Sequence, residues 1–189
     1  MAKNYSSRLN TENLVPTIIL IIFLCIGFIP NLEAVDKIAP QWLGMSFINL
    51  LSLFYISYNY KKYESILNIN IRSRISLIYL LFIIWGSASY FYAINSTEVL
   101  VNIARQVNVF LMFINMSILI YSIRSKAILF SYFILIILSI ETYAVLDQAT
   151  DMIKNTGSIQ SGNLKGVTAN RNITAFSIAI KIPFILFIV

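Results

Sequence analysis

Histidine is missing from all 189 residues of this chain, and cysteine occurs once, at Cys25. The first absence removes the usual general base and the commonest metal ligand. The second excludes an internal disulfide and any paired-thiol redox or zinc chemistry. Charge is scarce too: Asp, Glu, Lys and Arg make up 12% of the chain against 58% hydrophobic residues, and the mean hydropathy is +0.78. So little polar surface cannot close a water-soluble globule of this size, so the chain is expected in a bilayer. Acidic residues are the rarer sign, 8 against 14 basic, for a formal net charge of +6. The basic residues fall in short clusters between apolar runs, where orientation signals belong, so the surplus argues for topology and against nucleic acid. No metal site and no cofactor is expected.

What the sequence does contain is a series of apolar runs near the ~20 residues that cross a ~30 Å hydrocarbon core. They predict an all-α polytopic transmembrane helix bundle, a single domain of about six spans, at about 14–29, 42–58, 75–93, 97–121, 127–146 and 172–189, the last one incomplete. Pro16 fits the opening turn of the first span and Pro30 closes it. Lys3 and Arg8 precede that span as in a signal peptide, but no small-residue cleavage site follows, so it is read as an uncleaved helix. Trp42 and the tyrosines at 55, 58 and 60 mark the ends of the second span as interfacial aromatics. In the third, Gly86, Ser87, Ala88 and Ser89 offer a close helix contact. Asn95 stands three residues before Glu98, a spacing similar to a capping box, and Glu98, Asn102, Arg105 and Gln106 then form a polar stripe. Residues 147–171 form a polar loop whose opening can extend the fifth helix as far as Gly157. A loop of that length is more often functional than passive.

Lysine and arginine near the span ends set the orientation. Lys3, Arg8, the 59–74 loop with Lys61, Lys62, Arg72 and Arg74, and the turn with Arg124 and Lys126 fall on one side. Lys37, Lys154, Lys165 and Arg171 fall on the other. The N-terminus is therefore expected in the cytoplasm and the 147–171 loop outside.

A charge inside a span costs about 2.5–3.5 kcal/mol or more, so each needs a partner or a task. Arg105 and Glu141 are each expected roughly 8–10 Å below the outer surface. Arg105 can pair with Glu141, hold a lipid-linked phosphate with Glu141 or Glu98 fixing its fork, or snorkel to the outer headgroups. Lys181 lies deeper, two residues before Pro183, whose missing N–H frees carbonyls near residues 177–179 for a lysine to reach; a partnered cation in the bundle interior is the other reading. Lys165 and Arg171 lie in the outer loop at the start of a helix that Thr168 or Asn170 can cap, so they and the free helix amides form a candidate diphosphate cradle.

Two stretches carry a resemblance. The segment WGSASYFYAINSTEVLVNIARQ, Trp85–Gln106, and the later series Lys165, Gly166, Asn170, Asn172 and Pro183, with the two asparagines flanking Arg171, resemble the O-antigen ligase and polymerase family over residues 75–189. The resemblance implies the N-terminal part of a longer bacterial inner-membrane protein whose catalytic histidine-bearing outer loop follows later, so the catalytic residues here are unknown and this part is expected to be inactive alone. It implies transfer of a glycan from undecaprenyl diphosphate to lipid A core or to a growing polysaccharide, among membrane lipids and without nucleotide sugar or metal. Arg105, Lys165 and Arg171 become candidate diphosphate ligands, supported by Glu98, Glu141, Asn170, Asn172 and Lys181. Where the family often has arginine before the glycine, this chain has Lys165, which brings charge without a bidentate fork. The competing readings are a transporter or flippase with Arg105, Glu141 and Lys181 lining a path, and a scaffold in which all three intramembrane charges are paired.

Overall fold

A computed structural model of the chain describes residues 14–30, 36, 38–123, 127–160, 163–167 and 171–188, and every regular element among them is helical. The α-helices are α1 (Leu14–Cys25), α2 (Ala39–Tyr58), α3 (Tyr60–Ile71), α4 (Arg74–Ala88), α5 (Ser96–Ser122), α6 (Ala127–Thr156) and α7 (Arg171–Ile188). Short 3₁₀ turns, Ile26–Phe28 and Ser89–Phe91, extend α1 and α4. Three stretches are long and apolar enough to cross a membrane: Arg74–Phe91, Ser96–Ser122 and Phe130–Thr156. Leu14–Phe28 and Ser177–Leu186 are shorter apolar helices. By this measure three of the expected six spans stand among the described residues.

Local chemistry explains where the helices start and stop. Ser73 caps α4, its Oγ accepting from the Ser76 N–H at 3.2 Å, while the Ser76 hydroxyl donates to the Asn70 carbonyl at the end of α3. Asn95 caps α5 by accepting from the Glu98 N–H at 3.2 Å, the forward half of the expected capping box, and Glu98 adds a negative charge to the helix's positive end. The fifth expected span, α6, does run past Leu146, ending at Thr156. There Gly157 takes φ +69° and its N–H bonds back to the Ile153 carbonyl at 2.9 Å, a left-handed C-terminal cap.

Residues 59–74 correct the expected loop. Their middle is α3, a helix whose Tyr63, Ile66, Leu67 and Asn70 recur at helical spacing and whose Lys61 and Lys62 are exposed, as is Arg72 just past its end. Tyr63 is 1% exposed; its ring packs with Ile56, Ile114 and Ile118, and Ser122 donates to its hydroxyl at 3.0 Å. Tyr55 also turns inward to Tyr63, with ring centroids 6.1 Å apart, so of the three expected interfacial tyrosines only Tyr58 and Tyr60 are exposed.

The chain divides into two compact units, one of Trp42–Ile123 with the chain up to Leu20, the other of Ile21–Gln41 with the chain from Arg124 onward. In the first, α5 packs against α3 and α4, and side chains link it to α2. In the second, α6 and α7 form an antiparallel hairpin, and the Gln41 side chain donates to the Gly27 and Ile29 carbonyls.

Candidate functional site

The α6–α7 hairpin carries most of the polar groups singled out in the sequence. On α6, Glu141, Val145 and Gln148 recur at i, i+4 and i+7; on α7, Thr174, Ser177 and Lys181 recur at i, i+3 and i+7. Both sets therefore line one face of their helix, and the antiparallel pairing sets Glu141 beside Ser177 and Lys181, and Gln148 beside the loop that leads into α7.

Glu141 and Lys181 form an ion pair. The Lys181 ammonium lies 2.7 Å from each carboxylate oxygen, with side chains 9% and 14% exposed. Ser177 donates to Glu141 Oε1 at 3.1 Å and accepts from the same ammonium, so all three ammonium donors find acceptors. This answers the question the sequence left open: the ion partner of Glu141 is Lys181 and not Arg105, and Lys181 turns to Glu141 and Ser177 and not to the carbonyls freed by Pro183, through which α7 continues. Because α6 extends to Thr156, Glu141 lies mid-helix, roughly 21 Å from either end at 1.5 Å per residue.

About two turns along, the loop is clamped. Gln148 Oε1 accepts from the N–H groups of Lys165 at 3.0 Å and Gly166 at 2.9 Å, and its amide nitrogen donates to the Gly166 carbonyl. From α7, the Thr174 hydroxyl donates to the Lys165 carbonyl at 2.6 Å. Gly166 has φ +58°, and a Cβ there would stand 2.6 Å from Thr174 Cγ2 and 3.2 Å from Val145 Cγ2. Only glycine allows this backbone to sit between the two helices. The Lys165 side chain is left exposed beside the first turn of α7.

Arg171 and Asn172 open α7, and nothing is described of their side chains; Asn170 and Thr168 lie outside the described residues. Arg105 and Glu98 belong to the other unit, on α5. The Arg105 guanidinium lies over the Trp42 ring, 5.6 Å from its centroid, while Gln106 turns to α4 and accepts from the Tyr79 hydroxyl at 2.8 Å. The polar stripe of α5 is therefore divided between two neighbours. Among the described residues, no cluster of His, Cys, Asp and Glu could hold a metal ion.

A polar feature the sequence reading missed joins α2 to α5. Asn49 donates to Asn108 Oδ1 at 2.6 Å and to the Asn108 carbonyl at 2.8 Å; Asn115 donates to Asn49 Oδ1 at 3.0 Å; Asn108 donates to Ser46 Oγ at 2.8 Å. Asn49 and Asn115 are buried, and Asn115 Oδ1 accepts no hydrogen bond among the described residues. The heptad spacing of Asn108 and Asn115 on an apolar helix was the available signal.

Compared with family models, curated proteins and solved structures, the chain matches none.

Proposed function

We propose that this chain is part of a bacterial inner-membrane protein that transfers a glycan from an undecaprenyl diphosphate carrier to lipid A core or a growing polysaccharide. In this reading six helices cross the membrane, the N-terminus is cytoplasmic, and the loop after α6 faces outward. The observation that carries it is the clamped loop. Gln148 and Thr174 fix the backbone on both sides of Lys165, holding an exposed cation beside the N-terminal amides of α7, where Arg171 adds a second positive charge. A leaving diphosphate needs such fixed positive charge and oriented amides where its own charge develops. Arg105, Glu98, Asn170 and Asn172 are the further candidates that the resemblance implies.

A transporter or flippase is the second reading, and the charged pair Glu141 and Lys181, held between two apolar helices, favours it. Against it, the ammonium has no donor left for a passing substrate.

The test uses the complete protein in cells from which the native copy has been removed. Lys165→Ala and Arg105→Ala should each lower surface glycan at least tenfold while carrier-linked glycan accumulates; normal surface glycan from both would reject the proposal. Reporter fusions after Ser73 and after Gln160 should report opposite compartments, and a shared compartment would overturn the orientation.

A further inference from the structure

Helix α3 is tied to one side of its unit at both of its ends. Near its start the Tyr63 hydroxyl accepts from Ser122, the last residue of α5; at its finish the Asn70 carbonyl accepts from Ser76 in the first turn of α4. Arg74–Phe91 and Ser96–Ser122 are both long and apolar enough to cross a membrane, and a short turn folds them into an antiparallel pair in which Tyr79 meets Gln106 and Phe110. The start of α4 and the end of α5 therefore emerge on the same side, and α3 joins them there.

The face that α3 turns away from α5 is cationic. Tyr63, Ile66 and Leu67 pack inward. Opposite them Lys61, Ser65, Asn68 and Arg72 recur at i, i+4, i+7 and i+11, all exposed; Arg72, the C-cap, keeps φ −84° and ψ −1° and so continues the line. Lys62 lies beside this stripe, 5.5 Å over the Tyr63 ring, and Arg74 is exposed at the start of α4. Glu64 is the one carboxylate between Lys61 and Arg74, and among the described residues it forms no ion pair with any of the four cations. Along the same helix and the turn before it, Tyr58, Tyr60, Ile69 and Ile71 are exposed.

We infer that this face of α3 binds the anionic phospholipid headgroups of the adjacent leaflet. Four cations against one acid complement a negative surface, and a basic cluster immediately outside a membrane-crossing helix is the arrangement that holds anionic lipid. Orienting a span needs positive charge near its end and nothing more. Here the cations are also set in a line, with a hydroxyl and an amide between Lys61 and Arg72 to donate to phosphate oxygens. Tyrosine and isoleucine beside them suit the boundary between headgroups and hydrocarbon; an acidic protein in the same place would leave those side chains in water. The inference needs only that α4 and α5 cross a bilayer, so it stands or falls apart from the glycan-transfer reading.

The full chain in nanodiscs tests it, in phosphatidylcholine alone and with phosphatidylglycerol added. Phosphatidylglycerol should slow backbone hydrogen exchange in Tyr60–Ile71 by about fivefold or more, the worth of at least one cation at an anionic surface. The turns of α6 past Leu146, where Asp147 and Asp151 outnumber Lys154, should not respond. Lys61→Gln with Arg72→Gln should remove most of the slowing, while Lys62 and Arg74 remain to orient the span. High salt should do the same to the unmodified chain, because exposed charges are screened. Equal exchange in the two lipids overturns the inference, as does slowing that survives salt or the folded double variant. Equal slowing in the α6 turns also overturns it, since the lipid would then act on the chain as a whole. If polyglutamate slows exchange in α3 and phosphatidylglycerol does not, the face belongs to an acidic protein and the lipid assignment falls. Should the double variant not fold, salt decides alone.

Discussion

The α2–α5 contact and the α6–α7 contact handle the same difficulty, polar groups between apolar helices, in opposite ways. The first uses neutral amides: Asn49, Asn108 and Asn115 each carry donor and acceptor, so the chain of bonds loses strength in small steps. The second uses opposite charges, and Glu141 without Lys181 is a buried carboxylate with only Ser177 to answer it. A ladder of amides fixes register cheaply; an ion pair makes the hairpin conditional on both partners.

That contrast is sharpest in the charged contact. Lys181→Ala should destabilise the protein by about 3–5 kcal/mol in denaturant titrations in mixed micelles, because the remaining charge is uncompensated, whereas Glu141→Leu with Lys181→Leu should recover nearly all of the loss. Equal losses in the single and double variants would mean that packing and not charge holds the hairpin. Gly166→Ala comes next, at about 2 kcal/mol from the left-handed backbone and the collision with Thr174. Adding Thr174→Ser removes the methyl at 2.6 Å and should restore part of the stability; no recovery would trace the whole effect to the backbone. In the amide ladder, Asn49→Ala should cost only about 1 kcal/mol, in keeping with side-chain hydrogen bonds between membrane helices. A loss as large as that of Lys181→Ala would erase the distinction between the two contacts. The smallest effect is expected for Ser177→Ala, about 0.5–1 kcal/mol, since Lys181 keeps both carboxylate oxygens.

The parts legible in the sequence were those governed by local chemistry. Asn95 caps α5 and Gly157 ends α6 because a side-chain acceptor and a left-handed residue act within one turn of themselves. That Glu141 and Lys181 each require a partner also followed, from the cost of a charge in hydrocarbon. Their pairing did not, because the two residues lie 40 positions apart and nothing local sets α6 beside α7. The matched spacings of Glu141 with Gln148 and of Thr174 with Lys181 held the answer, but only once the two helices are known to be antiparallel neighbours. The asparagine ladder was hidden differently: its members lie 59 and 66 residues apart and carry no charge to mark them. Helix α3 was read as a loop because its charged ends lowered its hydropathy, although Tyr63, Ile66, Leu67 and Asn70 already traced one helical face. Gly86 was misjudged for a simpler reason: a Cβ there would meet nothing within 4 Å, and a small residue leaves room equally for a neighbour or for a void.

The 30 residues of α6 make a rod about 45 Å long, half again the thickness of the oily layer. If Ala127–Leu146 fills that layer, the remaining turns rise into the zone of phosphates and water, and Gln148 sits on the threshold. The loop bolted to it then rides at a fixed altitude set by the bilayer itself. A thicker membrane would draw Lys165 down toward the lipid and a thinner one would lift it clear, so lipid chain length becomes a dial on the height of that cation.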